Sequence, residues 1–117
     1  IKMPCPELVN IVENDLLDDE EVVENQLKDY YKDLYMSKIN SVVLGCTHFV
    51  FYREYMEKIL NHNINIVDGN LGTTNHLKET LKERDELRDD NEEGSVTIYN
   101  SSDDERFIKL SEKLLNR

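Results

Sequence analysis

The chain has 117 residues, 33% of them charged and 38% hydrophobic, with 25 acidic residues against 14 basic ones and a formal net charge of −11. That length suits one domain of ordinary size rather than two independent ones. No apolar run approaches the roughly 20 residues that cross a bilayer, and the acidity repels a phosphate backbone, so neither a membrane nor a nucleic acid is an expected partner.

In chain order, Pro4-Cys5-Pro6 opens a short helical patch that carries Leu8, Val9, Ile11 and Val12, with Pro6 suited to a first helical turn. Residues 15–19 form an acidic turn able to cap the next helix. Residues 20–36 place Val23, Leu27, Tyr30, Tyr31 and Leu34 at i, i+4, i+7, i+8 and i+11, the spacing of an amphipathic helix. Residues 41–45, rich in valine, read as a short buried strand. Residues 51–60 present Tyr52, Tyr55, Met56 and Ile59 on one helical face. Asn61-His62-Asn63 breaks that helix, residues 64–67 read as the next strand, and residues 68–72 as a turn at its carboxyl end. A long helix is expected over 73–88 with Leu77 and Leu81 inside, then a strand over 96–99. Ser102-Asp103-Asp104-Glu105 matches a capping box ahead of a last helix with Phe107, Leu110 and Leu114 on one stripe. The alternation predicts an α/β fold, a mostly parallel sheet with flanking helices.

Within this pattern Cys46-Thr47-His48 stands in a strand-to-helix turn, at the carboxyl edge of the sheet where ligands bind in open α/β folds. A thiol titrates near pH 8.5 in water and acts as base or nucleophile once ionised. A helix N-terminus favours the anion, its free amides suit a substrate carboxylate, and Thr47 adds a hydroxyl. If the segment is extended, Cys46 and His48 share a side. Spacing alone leaves open an incidental pair as well as a reactive one. A metal site is disfavoured, because no second pair of ligands accompanies Cys46 and His48. His62 and His76 read as surface histidines. Cys5, between two prolines, reads as a packed small residue. Two cysteines in a chain without an apolar signal-peptide core make no disulfide framework, so free thiols in a reducing cytoplasm are expected.

The stretch from Ser41 to Phe49, with Leu44-Gly45-Cys46-Thr47-His48 at its centre, resembles the Leu-Gly-Cys-Thr-His-Tyr signature of bacterial glutamate racemases, in the aspartate/glutamate racemase superfamily. Other segments keep the same register. Pro4-Cys5-Pro6 through Glu13 resembles the family's Cys-Pro segment with its terminal glutamate. Residues 64–69 resemble the next strand and acidic turn of the family, and residues 96–99 with Asp104-Glu105-Arg106-Phe107 resemble its last strand and helix start. The resemblance implies a two-domain racemase fold and interconversion of L- and D-glutamate without pyridoxal phosphate, metal or other cofactor. One cysteine thiolate removes the α-proton, and a thiol on the opposite face returns one. By the same resemblance Cys46 is a catalytic cysteine, His48 assists it, Glu13 tunes the site and Thr47 contacts the substrate. The D-glutamate formed supplies peptidoglycan.

The sequence departs from the family at Phe49 and Val50, which stand for Tyr-Pro, at Asp68-Gly69-Asn70 for Asp-Ser-Gly, and at Asp103-Asp104-Glu105 for Asp-Pro-Glu. The family's first catalytic cysteine, in an Asn-Thr motif, has no counterpart here, and Cys5 lies in a different segment. The expectation is therefore the C-terminal portion of a racemase, inactive alone. Residues 1–67 would belong to the second α/β domain and carry the cysteine turn, and residues 68–117 would return to complete the first. The strand-like scrap at residues 1–3 and the absent initial methionine point the same way. Exposed edges in such a fragment suggest a homodimer. Racemisation of aspartate or another amino acid, and non-enzymatic carboxylate binding, are the alternative readings.

Overall fold

The computed structural model describes residues 1–32, 34, 38–60, 64–88, 92–102 and 104–117. The first helix, α1 (Pro6–Glu13), starts on a proline and buries Leu8, Ile11 and Val12. It ends where Asp15 adopts a left-handed backbone, φ 58°. The Leu16 amide then bonds the Ile11 carbonyl at 2.9 Å and the Asp15 amide the Val12 carbonyl at 3.1 Å. This paired closure satisfies carbonyls the helix leaves open, and it leaves Glu13 on the last turn.

The second helix, α2 (Glu20–Tyr31), begins at Asp19, whose carboxylate accepts the Val22 amide at 3.1 Å. The acidic turn thus caps as expected. Val23, Leu27 and Tyr31 are its buried positions, three of the five read from its spacing. The helix stops at Tyr31 rather than 36. Residues 33 and 35–37 lie outside the described ones.

The strands β1 (Ser41–Val43) and β2 (Asn65–Val67) pair in parallel, Val42 opposite Ile66. Each alternates exposed, half-buried, exposed, so Val42 and Ile66 face the helices while Val43 and Val67 face outward. Between them the chain forms a 3₁₀ helix over Thr47–Tyr52 and continues as α3 (Arg53–Ile59). Helical structure therefore begins four residues before the expected 51. Tyr52 and Met56 are buried as read. The break at residues 61–63, His62 included, lies outside the described residues.

The core is the contact surface of α1, α2 and α3, with Leu8, Val12, Leu17, Val23, Leu27 and Tyr52 its largest fully buried side chains. Burying an aliphatic or aromatic side chain contributes about 1.5–3 kcal/mol, so these six positions hold the three helices together. Two hydrogen bonds fix their register: the Tyr52 hydroxyl donates to the Leu8 carbonyl at 2.5 Å and the Tyr55 hydroxyl to the Leu17 carbonyl at 3.0 Å. Glu24 of α2 takes Lys28 on its own helix and Lys58 of α3, and these two ammonium groups hold its carboxyl down at about 2. Behind β1, a cavity of about 450 Å³ is lined by Cys5, Leu8, Leu27, Tyr31, Val42 and Met56 among others.

The chain forms two compact units, Ile1–Thr80 and Leu81–Arg117. The next helix, α4 (Asn70–Glu83), begins within the expected turn because the Asp68 carboxylate accepts the Asn70 amide at 2.9 Å. None of its residues is buried, and Leu77, read as an inside position, is exposed. It ends at Glu83, short of the expected 88. Asp85 takes the left-handed backbone, and the Glu86 amide closes onto the Leu81 carbonyl at 2.8 Å.

The strand expected at 96–99 is not formed. Val96 and Tyr99 are 70% and 88% exposed, and among the described residues their unit holds no strand to pair with. The last helix, α5 (Glu105–Leu115), starts two residues later than the capping box implied. Asp104 is the cap, its carboxylate accepting the Arg106 amide at 2.9 Å, while Ser102 Oγ accepts the Asp104 amide. Both α/β character and parallel pairing are as expected, with two strands in the described sheet.

Candidate active site

Cys46 lies three residues beyond β1. Its backbone is still extended, φ −144° and ψ 142°, and it caps the 3₁₀ helix that His48 occupies. The two side chains meet because one residue is the extended cap and the other sits in the first helical turn, not because both share an extended face. Cys46 Sγ lies 3.6 Å from His48 Nδ1. On the far side of the ring, His48 Nε2 lies 2.8 Å from Glu13 Oε1. Glu13 arrives from 35 residues away, on the last turn of α1, which the Tyr52–Leu8 hydrogen bond seats against the 3₁₀ helix.

These contacts place the imidazole between a carboxylate and a thiol. An ionised carboxylate only accepts, so the tautomer that hydrogen-bonds Glu13 is the one with its hydrogen on Nε2. In the neutral ring Nδ1 is then an acceptor aimed at the thiol. Moving the thiol proton onto Nδ1 converts the pair to thiolate and imidazolium without breaking either contact. The site is open: Cys46 is half-buried, and the His48 and Glu13 side chains are 27% and 46% exposed. Thr47, the first residue of the 3₁₀ helix, is exposed next to both. The other thiol differs in every respect. Cys5 is buried, donates weakly to the Met3 carbonyl at 3.5 Å, and is raised above the ordinary thiol value by burial. It lines the apolar cavity, which neither Cys46 nor His48 borders.

A second cluster supports the turn from behind. Arg53, the first residue of α3, donates to the Ile66 carbonyl at 3.1 Å and to the Asp68 carboxylate at 2.5 Å. That guanidinium, and then the Asn70 amide, hold the Asp68 carboxyl below its ordinary range. One side chain thus ties the end of β2 and the start of α4 to the helix that continues from Cys46. Periodicity could not reveal Arg53, which looks like any polar residue at a helix start. Asp68 had a local signal, an aspartate two residues before a helical amide. Among the described residues, no group of three or more His, Cys, Asp and Glu side chains is arranged to hold a metal ion.

No protein-family model matches the chain. Among curated proteins it is 46% identical over 116 residues to glutamate racemase of Bifidobacterium animalis subsp. lactis, which covers 99% of this chain and 45% of that protein. It is 40% identical over 115 residues to glutamate racemase of Clostridium botulinum, covering 98% of the chain and 44% of the relative. Along nearly its whole length the chain is homologous to part of glutamate racemase. Among solved structures, glutamate racemase from Thermus thermophilus in complex with β-chloro-D-alanine superposes with a TM-score of 0.73 at 26% identity, covering 94% of this chain and 41% of that one. The chain therefore spans less than half the length of the glutamate racemases it matches.

Proposed function

We propose that these residues supply one face of a cofactor-independent glutamate racemase, with Cys46 as the thiol that exchanges the α-proton. The observation that carries this reading is the linear arrangement Glu13–His48–Cys46, in which a carboxylate fixes the imidazole and the imidazole faces the thiol. His48 accepts the thiol proton and keeps the resulting anion paired. Glu13 holds the ring and compensates its charge. Thr47, exposed at the same turn, contacts the bound amino acid. Removing a proton from carbon builds negative charge on the substrate, so a positioned base must act together with groups that stabilise that charge.

Inversion needs a second proton carrier on the opposite face. Of the two cysteines here, Cys5 is buried away from the site, so the 117 residues by themselves do not racemise glutamate. The partner thiol comes from the remaining length of the family's protein. In that protein residues 1–67 belong to one α/β domain and residues 68–117 complete the other. A cytoplasmic enzyme feeding D-glutamate to peptidoglycan, and acting as a homodimer, completes the proposal.

The test is deuterium exchange at Cα of L- and D-glutamate in D₂O. A full-length protein containing these residues should wash in deuterium with inversion and lose this on Cys46→Ala. The 117-residue chain should show none. Exchange with inversion by the purified chain, abolished by Cys46→Ala, would overturn the one-thiol reading. Full activity of the full-length Cys46→Ala protein would overturn the role of Cys46. Light scattering of the full-length protein reports the dimer.

A further inference from the structure

Inversion at carbon needs two proton carriers, but acyl transfer needs only one nucleophile, one base and one group that orients the base. This chain holds that smaller set complete. Cys46 Sγ stands 3.6 Å from His48 Nδ1, and Nε2 of the same ring stands 2.8 Å from Glu13 Oε1. With Nε2–H directed at the carboxylate, Nδ1 is left to take the thiol proton. A contact slightly longer than the ideal is common for such pairs before substrate arrives. The thiol is half-buried and the imidazole 27% exposed, so a small electrophile reaches both. The apolar cavity is no competitor for this chemistry, since its thiol, Cys5, is buried without an imidazole contact among the described residues.

We propose that Cys46, His48 and Glu13 hydrolyse activated carboxylic esters and thioesters through an S-acyl-Cys46 intermediate. In the first half-reaction the Cys46 proton passes to His48 Nδ1 and the sulfur attacks the acyl carbon. A C–S bond forms, the bond to the alkoxide or thiolate leaving group breaks, and that group departs with the electron pair and takes the proton from Nδ1. In the second, water gives a proton to Nδ1 as its oxygen attacks the thioester. The C–S bond breaks, the sulfur recovers the proton, and the carboxylic acid leaves. No oxidant, metal or cofactor enters the balance. Cys46 and His48 are the reacting groups, and Glu13 is a positioning residue. The proposal needs only side chains of this chain and stands whether or not the full-length protein racemises glutamate.

The experiment uses the 117-residue chain and p-nitrophenyl acetate, following p-nitrophenolate release and mapping acetylation by mass spectrometry after an acid quench. The expected result is acetyl-Cys46 in quenched samples and multiple turnovers. The rate should fall about 100-fold in His48→Asn, the lower end of what a positioned base contributes. Cys46→Ala should show no acyl-enzyme. Glu13→Leu should slow both half-reactions, and Glu13→Gln, which keeps an oxygen for Nε2–H, should recover most of that loss. Circular dichroism checks that each variant is folded. Acetylation confined to lysines, Cys5 or the N-terminus would overturn the proposal. So would a rate unchanged by His48→Asn, or an acetyl-Cys46 that forms once and never turns over. Because the readout is acyl chemistry, failure here leaves the Cα-exchange test of the racemase reading intact, and the reverse also holds.

Discussion

Replacing Tyr52 by phenylalanine tests how α1 is held against the turn that carries Cys46 and His48. The ring is fully buried, and its hydroxyl donates to the Leu8 carbonyl at 2.5 Å. Tyr52→Phe keeps the ring and its packing and removes only the hydroxyl. Leu8 lies inside α1, so its carbonyl still accepts from the amide one turn on and is not left wholly unsatisfied. The loss is then close to that of one neutral hydrogen bond, about 1 kcal/mol, rather than the roughly 3 kcal/mol at the upper end for an orphaned buried group. For a chain of this size that corresponds to a fall in melting temperature of about 3–6 °C. Urea unfolding followed by circular dichroism, with the slope held common to both proteins, measures it. Tyr52→Leu, which also removes the ring, should cost about 2–4 kcal/mol more through lost packing. A Tyr52→Phe protein within about 0.3 kcal/mol of the parent would refute the idea that this hydrogen bond seats the helix carrying Glu13.

Three further outcomes are expected from groups around the same fold. The Asp68 carboxyl is depressed mainly by Arg53, so its contribution favours the folded state above the ordinary carboxylate value of about 3.9 and disappears as pH falls through the lower folded value. Arg53→Gln should therefore be less stable than the parent at neutral pH, with the gap closing below about pH 4. Equal gaps in urea titrations across that range would contradict this assignment. Iodoacetamide should label Cys46 in the folded chain and reach Cys5 only on unfolding, since Cys5 is buried and its thiol pushed up; peptide mapping with and without urea distinguishes the two sites. Asp15 holds φ at 58°, a conformation that strains a residue with a Cβ, so Asp15→Gly should stabilise the chain by about 0.5–1 kcal/mol, and a lowered melting temperature would show that the strain is absent.

The elements most legible in the sequence are those whose signals are local. Pro6 opens α1, Asp19 caps α2, and Val23, Leu27 and Tyr31 are buried at the spacing that predicted them. The turn after β1 was legible for the same reason, an apolar run followed by Cys46-Thr47-His48. Where the reading failed, a tertiary partner decided. Residues 96–99 have the β-branched composition of a strand, but strand preference is realised only against a neighbour, and their unit supplies none among the described residues. The early start of α4 depends on the Asp68 side chain, which Arg53 holds in place from another helix.

The relay itself shows both limits. Cys46 and His48 are two residues apart and visible together, yet the 3₁₀ start that brings them into contact breaks the extended geometry their spacing suggested. Glu13 is 35 residues from His48. No periodicity links the two, and only the family resemblance pointed to it. In the fold the link is made by side chains with no chemical role. Leu8, Ile11 and Val12 are buried on one side of α1, and the Tyr52 hydroxyl grips its backbone, so the helix presents Glu13 where His48 Nε2 needs an acceptor. The carboxylate is therefore only as well placed as the packing beneath it. A substitution that loosens α1 should disturb the imidazole before it disturbs the thiol, because Cys46 and His48 share one continuous turn and Glu13 does not.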